Sequence, residues 1–115
     1  MDKETWKGLI LSALGDMADE QFQRRAWAGI GPESSSLVEI ICRLFDDVLL
    51  REYVKKYAST LPSKTLSDVR DLDERVQRLN AEYLDTLPAL DAINSPEWVE
   101  ISDLANDLKL AFERD

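Results

Sequence analysis

The side chains of this chain that could carry chemistry are almost all carboxylates. Its 115 residues include 23 Asp and Glu, 14 Lys and Arg, one cysteine and no histidine. Enzymes need a nucleophile beside a base, a metal site, or carboxylates with separated pKa values. Without histidine no Cys–His pair can form, and Cys42 stands in an apolar run, where we expect a small buried side chain. The sequence therefore predicts no catalytic residue and no cofactor.

A metal site built only from oxygen ligands is the remaining catalytic hypothesis. Asp46 and Asp47 could join Asp16, Asp19 and Glu20 around Mg²⁺ or Ca²⁺, which prefer such ligands. These residues lack EF-hand spacing and fall on separate predicted helices. We therefore expect exposed acids or helix caps here, no metal, and, for Asp46 and Asp47, a place in an acidic patch that meets a basic partner.

The last predicted helix has two contrasting faces. One face carries Trp98, Ile101, Ala105, Leu108 and Phe112 at spacings of 3, 4, 3 and 4, which predicts burial. The opposite face gathers three acids and two apolar residues: Glu100, Asp103, Asp107, Val99 and Leu110. Like charges at such spacing destabilise a helix by about 0.2–0.5 kcal/mol per pair. This face is the predicted partner surface, and the alternative is an ordinary solvated face with two exposed apolar residues.

Four further residues are predicted partner contacts. Asp46, Asp47 and Asp85 would pair with cations of the partner, and Trp27 would add an apolar contact. Trp6 and Trp98 lie on apolar helix faces and are expected in the core.

The acidic charge is concentrated toward the C-terminus. The net charge is −9, with 8 basic and 10 acidic residues in 1–60 but 6 basic and 13 acidic residues in 61–115. A phosphate backbone is repelled by such a surface, so no nucleic-acid binding is expected, whereas a basic protein is attracted. No apolar run approaches the length of about 18 residues that a membrane span requires. With one cysteine and no signal-peptide pattern, the expected location is the cytoplasm.

The helical periodicities predict a single all-α domain over residues 1–115, with five or six short helices around a central hydrophobic helix after Ser36. Gly29, Gly31 and Pro32 predict a break before it, and Ser36 with Glu39 fits a capping box. This helix is expected to bend or break near Asp46 and Asp47, with Val48 to Tyr57 as a short continuation.

The flanking helices have their own boundary signals. The first helix is expected to end at Gly15, with Asp16 capping the next one. A fifth helix is predicted to start at Thr65 or Ser67 and to end at Pro88. Its outer face carries two acid-first i,i+4 pairs, Asp71 with Arg75 and Glu74 with Arg78. Ser95 followed by Pro96 predicts the start of the last helix.

The stretch FQRRAWAGIGPESSSLVEIICRLFDD resembles a pattern found in small acidic immunity proteins of bacterial toxin–immunity loci, including those of contact-dependent growth inhibition. The resemblance covers about a quarter of the chain, residues 22–47, and carries no functional residue with it. The matching positions are Phe22, Gln23, Arg25, Trp27, Gly29, Gly31, Pro32, Glu33, Ser35, Ser36, Glu39, Phe45, Asp46 and Asp47.

The resemblance implies a protein that binds and neutralises a cognate toxin domain by occluding its active site or substrate groove. The acidic charge adds that this domain is basic, and a cationic nuclease is the expected class. The alternative is an all-helical adaptor or regulatory protein-interaction module unrelated to toxins. The sequence leaves the oligomeric state open.

Overall fold

The computed structural model describes residues 2–28 and 36–114. These ranges contain α-helices and no strand, which confirms the predicted all-α class. The chain is compact, because its radius of gyration of 13.9 Å is close to the value of about 13 Å expected for one domain of this length. The eight α-helices of the described ranges are α1 Lys3–Ala18, α2 Glu20–Ala28, α3 Leu37–Cys42, α4 Leu50–Tyr57, α5 Ser63–Arg78, α6 Ala81–Asp85, α7 Ala89–Ile93 and α8 Pro96–Arg114.

The helix at the centre of the packing is α8, the last one, rather than the predicted helix after Ser36. It packs between α1 and α5. The predicted apolar face is confirmed, because each of its five residues is at most 1% exposed: Trp98, Ile101, Ala105, Leu108 and Phe112. Helix α3 is too short for the central role, since it has only 6 residues.

The segment after α3 is irregular. Ser36 caps α3, since its Oγ accepts a hydrogen bond from the Glu39 N–H at 3.1 Å. The predicted bend is confirmed, because Arg43–Asp47 forms a π-helical turn. Leu49 follows with φ of 57°, in the left-handed region that disfavours a branched side chain. This turn redirects the chain into α4.

The boundary between α1 and α2 differs from the prediction. Helix α1 continues through Gly15 to Ala18. The cap of α2 is Asp19 instead of Asp16, since its Oδ1 accepts a hydrogen bond from the Phe22 N–H at 3.0 Å. A Cβ at Gly15 would lie 3.6 Å from the Lys109 side chain of α8, an ordinary van der Waals distance, so the packing does not require a glycine here.

The predicted fifth helix is split in two. Helix α5 ends at Arg78, and Asn80 starts α6 by accepting a hydrogen bond from the Tyr83 N–H at 3.2 Å. Because Asn80 starts a separate helix here, the described residues contain more helices than the five or six expected. Both predicted ion pairs of α5 are present, at 3.0 Å for Asp71–Arg75 and 3.5 Å for Glu74–Arg78.

The break predicted at Gly29, Gly31 and Pro32 lies outside the described residues, as do Glu33 and Ser35 of the resemblance. Across the described ranges, no helix is both long enough and apolar enough to cross a membrane.

Candidate functional site

The exposed face of α8 begins at a well-capped helix start. Ser95 accepts a hydrogen bond from the Trp98 N–H at 3.3 Å, and Pro96 occupies the first turn, as predicted. Burial of Trp98 then turns Val99 outward, so that Val99 and Leu110 are each 41% exposed. The two apolar residues therefore lie on the solvent side, beside the acids of this face.

Glu100 is already matched by a cation within the chain. Its Oε2 accepts a hydrogen bond from the Arg75 Nη1 of α5 at 2.6 Å, while the Arg75 Nε bonds Asp71 at 3.0 Å. Glu100 therefore has a cation partner, which comes from α5 and not from the face of α8 itself. The sequence could not reveal this contact, because Arg75 reaches across from another helix.

Asp103 and Asp107 are both exposed, and neither forms an ion pair within the described residues. Lys64 lies near enough to Asp107 for the two charges to interact, but its Nζ bonds Asp68 at 2.7 Å. Arg114 falls on the same face seven residues after Asp107, about 10 Å along the axis and too far for an ion pair. The uncompensated part of the face is thus the pair Asp103 and Asp107, flanked by Val99 and Leu110.

A groove between α2 and α8 extends this face toward Glu20. Its volume is about 250 Å³, and Val99, Ser102 and Asp103 form the α8 wall. Glu20 stands on the α2 side, where its only ion pair within the described chain is a 3.5 Å contact with Arg24. The groove therefore has a carboxylate on each wall, Glu20 on α2 and Asp103 on α8, and the apolar Val99 belongs to the α8 wall.

The floor of this groove contains a buried polar contact that links three helices. Gln23 is 1% exposed. Its Nε2 donates to the carbonyl oxygens of Asp16 and Met17 at 3.0 and 2.8 Å, and its Oε1 accepts from the Trp98 Nε1 at 3.1 Å. All these groups are satisfied, so Gln23 fixes the start of α8 against α1 and α2. Sequence reasoning missed this role, since glutamine carries no periodicity signal.

Asp46 and Asp47 lie on a different surface. Both are exposed, on the π-helical turn that packs against α1, α3 and α4. The nearby Asp16 is engaged elsewhere, in an ion pair with Arg43. The structure therefore does not join Asp46 and Asp47 to the acids of α8.

Asp85 and Trp27 have structural roles. The Asp85 carboxylate accepts hydrogen bonds from the N–H groups of Leu37 and Val38, at 3.1 and 3.3 Å, and so stabilises the start of α3. Trp27 is half-buried and packs against Trp98, with ring centroids 5.5 Å apart. Both side chains are engaged within the chain, and we leave them out of the candidate site.

The carboxylates that could have shared a metal ion are dispersed. In residues 2–28 and 36–114, no group of three or more Asp, Glu, Cys or His side chains is close enough to hold a metal. Asp16 pairs with Arg43 and Asp19 caps α2, which accounts for two of the suggested ligands.

Cys42 is exposed, which corrects the expected burial. Partial desolvation raises the pKa of its thiol above the ordinary value, and the neighbouring charge of Asp46 adds to the effect. A raised pKa lowers the thiolate fraction, which is the opposite of what a nucleophile needs.

The resemblance residues that the structure describes mostly serve the fold. Gln23 links three helices, Trp27 packs on Trp98, and Phe45 is 5% exposed beneath the guanidinium of Arg51. Comparison of the whole chain with protein-family models, curated proteins and solved structures finds no match.

Proposed function

We propose that this chain is an immunity protein that binds a basic toxin domain through the exposed face of α8. The observation that carries the proposal is the position of Asp103 and Asp107, which have no cation partner in the described residues and lie between two exposed apolar residues. Neighbouring acids such as Glu100 and Asp71 are matched by Arg75. A basic partner would relieve the repulsion between Asp103 and Asp107 and cover Val99 and Leu110.

The charged and apolar residues of this face would contribute differently to binding. An exposed ion pair adds about 0.2–1 kcal/mol, and such charges act mainly on the association rate. Covering the exposed parts of Val99 and Leu110 adds on the order of 1 kcal/mol each. The acids would therefore orient the partner during approach, while the apolar contacts and the α2–α8 groove slow its release.

The toxin assignment rests on the resemblance together with the charge. A nuclease must attract phosphate, so its substrate groove is basic. An acidic helix face competes for that groove, and the complex would block the active site. The cytoplasm, where such a toxin would act, is the location this proposal requires.

A protein-interaction module unrelated to toxins is the second candidate. It is favoured by one observation: the described residues of the resemblance mostly hold the fold together and carry no information about a toxin. Such an adaptor would bind a harmless partner, with little dependence on salt.

Co-expression with the product of the neighbouring gene tests the proposal. That product is expressed in a bacterial host with and without this chain, and growth and co-purification are measured. We expect growth arrest by the product alone, relief when the chain is present, and a stable complex of the two. A harmless product that still co-purifies would support the adaptor instead, and a toxic product whose growth arrest the chain does not relieve, and which it does not bind, would overturn the immunity proposal.

A further inference from the structure

A second groove, between α4 and α5, has the opposite charge. Its volume is about 310 Å³, and Val54, Leu66 and Val69 form an apolar floor. Lys55 on α4 and Arg70 on α5 stand along its walls. The groove therefore presents apolar side chains between two cations, on a chain whose net charge is −9.

Two of the three cations that line this groove form no ion pair within the described residues, in a chain that is rich in acids. Neither Lys55 nor Arg70 forms an ion pair within the described residues, although both are exposed. Arg51, at the same groove, is by contrast bonded to Asp73 at 2.7 and 2.6 Å. The uncompensated positive charge of the groove is therefore carried by Lys55 and Arg70.

We propose that this groove receives the exposed α8 face of a second copy of the chain. That face has the complementary character, because it combines Asp103 and Asp107 with the exposed apolar residues Val99 and Leu110. A helix seated between α4 and α5 would direct carboxylates at the groove walls and apolar side chains at its floor. A molecule cannot fill its own groove in this way, because its α8 is held between α1 and α5.

The net charge does not prevent this contact at physiological salt. Charges farther apart than the Debye length of about 8 Å are largely screened, whereas the molecule is 42 Å long. The local charges at the two surfaces therefore decide the interaction. Because the contact joins two different surfaces, it is head-to-tail, and it produces a closed ring if the rotation closes and an open assembly if it does not.

Charge reversal on each surface, alone and together, tests the inference. Self-association is measured by sedimentation velocity over a concentration series in about 0.15 M salt. We expect the wild-type chain to associate as concentration rises. The groove variant Lys55→Glu/Arg70→Glu and the face variant Asp103→Lys/Asp107→Lys should each associate at least about tenfold more weakly. The variant with all four substitutions has the wild-type net charge and should regain association, since both surfaces are reversed.

The matched control is Arg24→Glu/Arg78→Glu, which has the same net charge as the groove variant. Both arginines are exposed, and within the described residues each makes only a 3.5 Å ion pair, so self-association should remain at the wild-type level. The inference would be overturned if the wild-type chain stays monomeric or if the groove variant associates normally. It would also be overturned if the variant with all four substitutions stays dissociated. The groove variant keeps the α8 face intact, so relief of toxin arrest by this variant tests the proposed function separately.

Discussion

The Oε1 of Gln23 accepts a hydrogen bond from the Trp98 Nε1 at 3.1 Å, across 75 residues of sequence. This buried contact fixes the start of α8 relative to α2. It thereby sets the position of Val99 and Asp103 at the groove facing Glu20. The candidate partner surface thus depends on a polar side chain that lies beneath it.

Replacing Gln23 should destabilise the fold. Gln23→Leu leaves the Trp98 Nε1–H without its acceptor and removes the side-chain donor to the carbonyl oxygens of Asp16 and Met17, and the free energy of unfolding should fall by about 1–3 kcal/mol. Urea denaturation measures this change. Gln21→Leu, at an exposed position of the same helix, is the matched control and should change the free energy by less than about 0.5 kcal/mol. Equal effects of the two substitutions would show that the buried contact does not stabilise the protein.

The Arg75–Glu100 ion pair should contribute little stability. Its side chains are 38% and 65% exposed, so a double-mutant cycle with Arg75→Met and Glu100→Gln should give a coupling energy of about 0.2–1 kcal/mol. The ion pair affects partner recognition more than stability, because Arg75 already compensates the charge of Glu100. Glu100→Gln should therefore slow association with the basic partner less than Asp103→Asn does. The opposite order would mean that Arg75 gives up Glu100 on binding.

The ion pair between Arg51 and Asp73 should make stability depend on pH in the acid range. The hydrogen bonds from Arg51 hold the pKa of Asp73 below its ordinary value of 3.8. A lowered folded-state pKa gives stability that is present above 3.8 and is lost as the pH falls through the lower folded-state pKa. The Asp73→Asn variant should therefore be less stable than the wild type by up to about 1 kcal/mol at neutral pH.

Thermal melts of the wild type and Asp73→Asn over this pH range check the prediction. The two melting temperatures should converge as the pH falls below the ordinary aspartate value. A constant difference between them would exclude the charged pair as its source.

Cys42 should react slowly although it is exposed. Desolvation and the Asp46 charge raise the pKa of the thiol, so little thiolate is present near neutral pH. Asp46→Asn should increase the rate of alkylation by iodoacetamide, because it removes the second of these causes. Asp47→Asn is the matched control with the smaller expected effect, since Asp47 makes the weakest contribution. A faster reaction in Asp47→Asn than in Asp46→Asn would contradict this explanation.

The sequence predicted features that depend on neighbours along the chain. The apolar face of α8, the Ser36 and Ser95 caps and the two i,i+4 pairs of α5 all follow from spacing within one helix. Contacts between helices were not predictable in this way. Arg75 reaches Glu100 across 25 residues, and Asp85 caps a helix that begins 48 residues before it. The acidic face was therefore located correctly on α8, while the acids that remain unmatched could be identified only from the packing.

The central claim is that Asp103 and Asp107 guide a basic partner onto α8. Its most direct test is the association rate constant with the toxic product of the neighbouring gene, measured by stopped flow at low and high salt. For Asp103→Lys/Asp107→Lys we expect a rate at least about tenfold below wild type at low salt and a smaller difference at high salt. The control Glu82→Lys/Asp91→Lys changes the net charge equally at exposed positions outside this face, and it should lower the rate much less. Equal rates for the α8 variant and the wild type, with the same salt dependence, would contradict the assignment of this face.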